Sequence, residues 1–426
     1  MPAGRTVRGT ASTLSRRGAA NMRLVVAAVS LAALIVYAVL WLQVTPTQER
    51  GSDFSVFYVA AVLVREGDAG QLYNQSVEAA RHDQILPPGY RVTATLPFDT
   101  PPTTALIALP LTLLDPGTAY RLFGLLQLLL LLAAVALAAR ASPWPAASRG
   151  ARLVAAGAGL AGTATLPLLL LGQWDGVCAL GFALAYAAWR RDRPFAAGLW
   201  LALGFGIAKP HLAIGLLAFA LGRRDRRALL GMAVGAAALI AASVATVGPG
   251  ATLGFLGASS FALGNIPARS TVGLLGLAAS WLGSGSVAGG IAIAGGVLGV
   301  AACVYLGWRS RGHSDRLEIT LAGAAALSLL VAPHLLPHDL VVLAPAFVWV
   351  AARAAQLDAP RTWPGRAGIT VLAGWLGFAL LVALDAGASA PAPPGRLVPW
   401  GLMAAAVALA LWQRQRRALR PAARQD

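Results

Sequence analysis

Long apolar segments separated by short polar turns cover most of this chain. A helix needs roughly 20 apolar residues to cross the hydrocarbon of a bilayer, and lipid-exposed backbone must satisfy its hydrogen bonds internally. The pattern therefore predicts an all-α polytopic membrane protein of about 12 transmembrane helices, within a range of roughly 10 to 13. The predicted spans are residues 24–44, 118–139, 152–171, 176–189, 195–208, 211–222, 228–247, 286–308, 319–332, 339–353, 367–385 and 399–413.

Short arginine clusters between the spans indicate their orientation. Cytoplasmic loops are enriched in positive residues, and seven clusters hold 26 of the 34 cations. Placing all seven in the cytoplasm gives a multi-pass protein of the cytoplasmic membrane with both termini inside. The net charge of +17 then reflects topology signals, and no nucleic-acid partner is expected. The clusters lie at 5–23, 140–152, 190–193, 223–227, 309–316, 353–366 and 414–424.

This orientation also sets the domain organisation. Two short apolar pieces, 101–114 and 271–282, are predicted as juxtamembrane or re-entrant helices on the outer face, because counting either as a crossing would invert several clusters. The predicted regions are a cytoplasmic arginine-rich N-terminus (1–23), a transmembrane domain (24–413) with outer loops at 45–117 and 248–285, and a cytoplasmic basic tail (414–426).

The first outer loop differs in charge from the rest of the chain. Only 12% of all residues are charged, yet the stretch from Thr45 to Thr100 holds seven of the 17 acidic residues against four arginines, a net charge of −3. Within it, Asp53 lies shortly after the first span. A carboxylate at the outer membrane face favours chemistry on a lipid-linked substrate over a simple pore.

Asp53 has two interpretations that do not exclude each other. As a general base, it accepts the proton of an acceptor hydroxyl while that oxygen attacks a sugar carbon. As a structural residue, it caps the N-terminus of the amphipathic segment that follows.

Lys209 is the only lysine among the 34 cations. It precedes Pro210, which predicts a helix break at membrane depth. An ammonium at such a break is suited to holding a phosphate. The alternative is a lysine that snorkels from the end of a span.

A histidine-rich turn precedes the tenth predicted span. The imidazole of His338 is suited to bonding a phosphate oxygen, with Asp339 orienting it or binding sugar hydroxyls, and His334 is in a position to share this role. The alternative is a polar cap on that span. The spacing does not indicate a metal site, because no further ligand set accompanies it.

Gln173 and Asp175 flank Trp174 in a tight outer turn. An amide and a carboxylate beside an indole suit sugar binding through hydroxyl hydrogen bonds and ring stacking. An ordinary interfacial turn with a tryptophan in the aromatic belt is the alternative. Arg269, in the second outer loop, is a further candidate for substrate binding on the same face.

The order and spacing of these residues resemble glycosyltransferase family 87, which is related to polyprenol-phosphate-mannose-dependent mannosyltransferases. The similarity spans roughly residues 50–345 and includes Tyr58. It is carried by Ser52-Asp53 with Phe57-Tyr58-x-Ala60-Ala61, Phe98-x-x-Pro101-Pro102, Gly172-Gln173, Ala197-Gly198 leading to Lys209-Pro210, and Ala332-Pro333 followed by His338-Asp339-Leu340.

The resemblance implies a type C glycosyltransferase fold with the catalytic aspartate in the first outer loop. Carried over by position, Asp53 is the general base, Lys209 and His338 are phosphate contacts, and Tyr58 is a substrate-binding candidate. The donor is a polyprenyl-phosphate sugar and the acceptor an extracytoplasmic lipid or glycan. Thr100 stands where the family often has tyrosine before the Pro-Pro pair, and Leu336 stands where some members have tryptophan before the histidine. These differences leave the identity of the acceptor and of the donor sugar open.

The predicted activity is that of an inverting membrane glycosyltransferase of the cell envelope, with mannose as the expected sugar and the active site on the extracytoplasmic face. No cofactor is required in this scheme, and without an Asp-x-Asp motif a divalent metal has no support in the sequence. One rival is a secondary transporter or lipid flippase, whose functional polar groups usually lie near the bilayer midplane. Another is a structural subunit of an envelope polysaccharide complex.

Overall fold

The computed structural model describes residues 7–85, 96–146, 148–268, 271–356, 366–387 and 396–419. Over these residues the regular secondary structure is helical throughout, with α-helices joined by short 3-10 turns. The prediction of a helical membrane protein is confirmed. The type C fold itself stays a prediction.

The N-terminal region consists of one long helix followed by four short ones. The capping box formed by Thr45 and Gln48, with Pro46 at the first helical position, starts the first short helix. These helices are α1 (Val7–Leu42), α2 (Pro46–Arg50), α3 (Asp53–Arg65), α4 (Gln75–Ile85) and α5 (Pro102–Ala108), which a 3-10 turn at Leu109–Leu113 extends. The four short helices lie in the predicted first outer loop, and α5 coincides with the predicted helix at 101–114.

The rest of the chain supplies the longer apolar helices. Every segment predicted to cross the membrane falls on one or two helices. Those after the first outer loop are α6 (Pro116–Ala141), α7 (Arg149–Leu160), α8 (Thr165–Leu171), α9 (Asp175–Arg190), α10 (Pro194–Gly206), α11 (Ile214–Arg223), α12 (Arg226–Asn265), α13 (Leu274–Leu282), α14 (Ser286–Ser310), α15 (Leu317–Val331), α16 (Leu343–Gln356), α17 (Arg366–Gly387) and α18 (Val398–Leu419).

Fewer helices than predicted are long and apolar enough to cross a membrane alone. In the described chain five pass on length and composition, and six if α7 and α8, bent by 45° at a short break, form one span. Several other predicted spans fall on helices of 10 to 17 residues. The count of 12 crossings therefore stays a prediction. The five are Arg23–Leu42, Pro116–Ala141, Arg226–Ser260, Ser286–Ser310 and Pro337–Gln356.

The predicted second outer loop, 248–285, is largely helical. At Gly248 the backbone leaves helical geometry (φ 83°, ψ 164°), and Pro249 follows, so α12 kinks there but continues to Asn265. The predicted outer helix at 271–282 corresponds to α13.

Small residues let the central helices approach closely. A Cβ added at Gly181 of α9 would lie 2.5 Å from the Cα of Gly204 in α10, and one at Gly198 of α10 would lie 1.8 Å from the carbonyl oxygen of Ala228 in α12. Neither position accommodates a side chain without moving backbone. Small residues at helix contacts are the usual means of close packing in membranes. This packing fixes α9 and α10 relative to each other, and both helices have an end at the site described below.

Candidate active site

The break predicted at Lys209-Pro210 is confirmed. Helix α10 ends at Gly206, Lys209 has non-helical backbone angles (φ −134°, ψ 61°), and a 3-10 turn at Pro210–Ala213 leads into α11. Proline has no backbone N–H to continue the helical ladder, which is why the helix ends before it. The break directs the Lys209 side chain into the protein, where the residue is only 6% exposed.

The Lys209 ammonium lies between two carboxylates. Its Nζ donates to Asp175 Oδ2 at 2.9 Å and to Asp339 Oδ1 at 2.6 Å, and both carboxylates are buried. The two bonds join the helix break to the start of α9, 34 residues earlier, and to the turn before α16, 130 residues later. Burial in ion pairs excludes the alternative of a snorkelling lysine, because the charge does not reach an aqueous interface.

Asp339 has a structural task in addition to this ion pair. Its Oδ2 accepts a hydrogen bond from the backbone N–H of Leu336 at 2.7 Å, which caps the 3-10 turn at Pro337–Val342. The polar-cap interpretation is therefore correct for Asp339, alongside its contact with Lys209. His338 Nε2 lies 3.5 Å from Asp339 Oδ1, so the imidazole is held beside the same carboxylate.

A left-handed glycine brings Gln173 to Asp53. Gly172 ends α8 with φ 64° and ψ 62°, a conformation that L-residues with a side chain rarely adopt. A Cβ at this position would lie 2.6 Å from the Cβ of Phe54, so the turn also approaches α3 closely. As a result the amide of Gln173 donates to Asp53 Oδ2. The two predicted site residues are in direct contact although 120 residues separate them.

Asp53 is the first residue of α3, and Ser52 occupies the N-cap position. The N-cap residue of α3 is therefore Ser52 and not Asp53, although the Ser52 side chain makes no capping hydrogen bond. A carboxylate in the first turn still interacts favourably with the helix dipole.

Burial raises the pKa of Asp53 to about 6, against the opposing effects of the Gln173 hydrogen bond and the Lys209 charge. A pKa in this range suits a general base near neutral pH.

Trp174 does not have the role predicted for it. Its side chain is 1% exposed and is covered by Phe57 and Phe123, whose ring centroids lie 5.9 and 4.8 Å away in edge-to-face geometry. It can neither stack on a sugar nor join an aromatic belt. The sequence indicated an exposed tryptophan because Trp174 lies between two polar residues, Gln173 and Asp175, as in a surface turn. Trp174 instead packs the core beneath Asp53 and Gln173.

His211 is a residue of this region to which sequence reasoning gave no role. Its ring lies against that of His334, with centroids 4.2 Å apart and the ring planes inclined by 38°. His334 is thereby placed beside the cluster, as predicted. The signal that could have identified His211 is its position two residues after the only lysine, in the same helix break.

Two predicted residues are not brought into the cluster. The Tyr58 hydroxyl donates to the Leu114 carbonyl at 2.9 Å, and the residue is 4% exposed in the core of the outer loop. Arg269 lies outside the described residues.

Several buried polar atoms of the site make no hydrogen bond to another described residue. Buried polar groups are nearly always paired, so a concentration of unpaired ones points to a binding site. The unpaired atoms here are Gln173 Oε1, Asp175 Oδ1, His211 Nε2, His334 Nδ1 and His338 Nδ1.

Asp175, His338 and Asp339 offer three possible metal-ligand atoms within 4.8 Å of one another. Lys209 already bonds to both carboxylates, so a divalent ion there would be repelled by the ammonium at close range. These residues fit a protonated lysine better than a metal ion.

The model of glycosyltransferase family 87 matches residues 98–333, more than half of the chain. The matched region contains Gln173, Asp175 and Lys209, while Asp53, His338 and Asp339 lie outside it and are joined to it by the contacts above. No curated protein and no solved structure matches the chain.

Proposed function

This chain belongs to glycosyltransferase family 87, and on that premise we propose that it transfers mannose from a polyprenyl-phosphate donor to a lipid or glycan acceptor on the outer side of the cytoplasmic membrane. The observation that carries the proposal is the contact between Asp53 and Gln173 beside the Lys209 ion pairs. It joins the acidic outer loop to the polar cluster at the helix break.

The reaction is a single displacement at the anomeric carbon. The acceptor oxygen forms a bond to that carbon while the bond from the carbon to the phosphate oxygen breaks, and the electron pair leaves with the polyprenyl phosphate. Attack opposite the leaving group inverts the anomeric configuration. Asp53 takes the acceptor proton, and the Gln173 hydrogen bond fixes the direction of its carboxylate. No cofactor takes part in this scheme.

The phosphate is stabilised by groups of the cluster. An ammonium has three N–H donors, and Lys209 uses two of them on Asp175 and Asp339, which leaves one for a phosphate oxygen. The imidazoles of His334 and His338 supply further donors. Asp175 and Asp339 hold the ammonium in place and offer remaining lone pairs to sugar hydroxyls.

The pKa of Asp53 gives the proposal a pH dependence. As a base, Asp53 works only in its ionised form, so the transfer rate falls as the pH drops through about 6. Below that pH the rate decreases about tenfold for each pH unit.

The test is transfer of radiolabelled mannose from polyprenyl phosphate in membranes that contain the protein. Membranes from cells with the gene deleted are the control. We expect a labelled product, soluble in organic solvent or attached to glycan, that depends on the gene. Gene-dependent uptake into vesicles without covalent transfer would contradict the proposal and support the transporter alternative.

A further inference from the structure

The segment from Phe98 to Thr103, which leads into α5, is held beside the site by three hydrogen bonds. The anchoring hydrogen bonds run from the Phe98 N–H to Glu78 Oε2 (2.9 Å), from the Tyr73 hydroxyl to the Thr100 carbonyl (2.8 Å), and from the Thr103 hydroxyl to the Ile207 carbonyl (2.8 Å). The last bond attaches the segment to the residues immediately before Lys209. The stacked rings of Tyr73 and Phe98, 5.4 Å apart, add to this rigidity.

The side chain that this rigid segment carries has no structural partner. Asp99 is partly exposed, and in the described chain its carboxylate makes no hydrogen bond to another residue. Glu78, by comparison, uses its carboxylate to hold the Phe98 N–H. The fold therefore orders the backbone around Asp99 while leaving the carboxylate free to bind something else.

The hydrogen bond from Thr103 to Ile207 places the segment that carries Asp99 near the helix break, within electrostatic range of Asp53 and Lys209. Burial raises the pKa of both carboxyl groups; the negative charge of Asp99 adds to the rise at Asp53, and the Lys209 ammonium opposes the rise at Asp99. The two carboxylates repel each other, and a hydrogen-bond donor of a ligand would offset this repulsion. Gln173, whose amide nitrogen bonds to the Asp53 carboxylate, is 6% exposed, and its amide oxygen Oε1 has no hydrogen-bond partner in the described chain.

We propose that Asp99 is a specificity-determining residue that binds a sugar hydroxyl next to the reacting atoms. The inference deepens the proposed function and rests on it. A carboxylate without protein partners is a strong acceptor for a sugar hydroxyl, and the unpaired amide oxygen of Gln173, whose amide nitrogen bonds to Asp53, offers a second acceptor. The hydroxyl belongs either to the acceptor or to the donor sugar, and the two arms of the test separate these sources.

The test measures transfer from polyprenyl-phosphate [14C]mannose to endogenous lipids and to added octyl α-D-mannoside. For Asp99→Asn we expect about a ten- to hundredfold rise in the KM of the substrate whose hydroxyl is bound, as for loss of a charged hydrogen bond. The KM of the other substrate stays within about twofold. A rise for octyl mannoside identifies an acceptor hydroxyl, and a rise for the donor identifies a donor hydroxyl.

A second readout separates a role in the site from general damage. Removing the Asp99 charge lowers the pKa of Asp53, because a like charge no longer opposes its ionisation. The acidic limb of the kcat profile should therefore move to lower pH in Asp99→Asn. Damage to folding would lower kcat without this shift. The matched control is Asp68→Asn, an exposed acid of the same loop, for which both KM values and the pH profile should remain those of the wild type.

A third arm uses the wild type alone, so it does not depend on the folding of a variant. Octyl mannosides and donors that lack one hydroxyl each are compared, and one of them should show the same rise in KM. Unchanged KM values for every deoxy substrate, or an Asp99→Asn protein with normal KM values and an unmoved acidic limb, would overturn the assignment of Asp99. Absence of transfer by the wild type to any acceptor would instead refute the proposed function, and this inference with it.

Discussion

Helix α9 connects two buried ionic clusters that differ in how completely they are paired. At its start, Asp175 belongs to the Lys209 cluster at the helix break. At its other end, about 24 Å away at 1.5 Å per residue, Tyr186 and Arg190 contact the buried carboxylate of Glu318. We call these the outer cluster (Asp175, Lys209, His338, Asp339) and the inner cluster (Tyr186, Arg190, Glu318, Arg353).

The inner cluster is fully paired. Glu318 Oε1 accepts from the Tyr186 hydroxyl at 2.8 Å and lies 3.6 Å from Arg190 Nη1, while Glu318 Oε2 accepts from Arg353 Nε at 2.8 Å. The other Arg353 nitrogens donate to Gln356 and Ser314. Both arginines belong to segments predicted to face the cytoplasm. A buried network with every member paired fixes helix positions and leaves nothing for a ligand.

The outer cluster holds as many charges but leaves Asp175 Oδ1 and His338 Nδ1 unpaired. Two carboxylates share one ammonium there, so its net charge is −1 with neutral histidines. Burial alone therefore does not distinguish a structural ion pair from a functional one. The incomplete pairing of the outer cluster, next to Asp53, is the reason we propose it as the site.

The largest expected difference between the two regions is in how the loss of one carboxylate affects transfer and thermal unfolding. Asp53→Asn keeps the shape of the side chain but cannot accept a proton, so we expect transfer to fall by about 10²–10⁴ with little change in thermal unfolding. Glu318→Gln in the inner cluster should lower the unfolding temperature yet leave transfer per folded molecule near that of the wild type. Wild-type turnover by Asp53→Asn would remove it as the base.

Loss of each cluster's buried cation should have similar effects on stability and different effects on activity. Lys209→Met and Arg353→Met each remove the cation closest to a buried carboxylate, which costs about 3–5 kcal/mol in the free energy of unfolding. Thermal unfolding in detergent and transfer per folded molecule are measured for both. We expect transfer to survive in Arg353→Met and to be lost in Lys209→Met. Equal losses would mean that the outer cluster is as structural as the inner one.

A smaller effect should follow from two glycines with left-handed backbones. Gly172→Ala and Gly67→Ala (φ 64° and 90°) each introduce about 1–2 kcal/mol of backbone strain. Only at Gly172 does the new Cβ also meet Phe54, the neighbour of Asp53, whereas nothing lies within 4 Å at Gly67. We expect about tenfold slower transfer for Gly172→Ala, in line with the sensitivity of catalysis to small misplacements. Transfer by Gly67→Ala should be normal despite its backbone strain, and slow transfer by both would contradict the positional explanation.

The sequence was sufficient for the helical class, the family and the segments that meet at the site. Apolar runs and arginine clusters are local signals, and Lys209 stood out as the only lysine. The helix break at Pro210 followed directly from the chemistry of proline. These features needed no knowledge of which residues touch across the fold.

The partners within the site could not be predicted in this way. Nothing in the sequence pairs Lys209 with both Asp175 and Asp339, or Gln173 with Asp53, because these contacts depend on how closely packed helices are aligned. The same limit explains the wrong role for Trp174, whose burial comes from Phe57 and Phe123 in other helices. The number of membrane crossings also stays open, because several predicted spans fall on helices of only 10 to 17 residues.

The requirement common to all of these roles is that the first outer loop faces the extracytoplasmic side. A cysteine at exposed position 68 (Asp68→Cys) is treated with a membrane-impermeant maleimide in intact cells, with His313→Cys as the matched exposed position in a predicted cytoplasmic turn. The wild type, whose Cys178 and Cys303 are buried, gives the background. We expect position 68 to react in intact cells and position 313 only after permeabilisation. The reverse pattern would place Asp53 in the cytoplasm and contradict sugar transfer at the outer face.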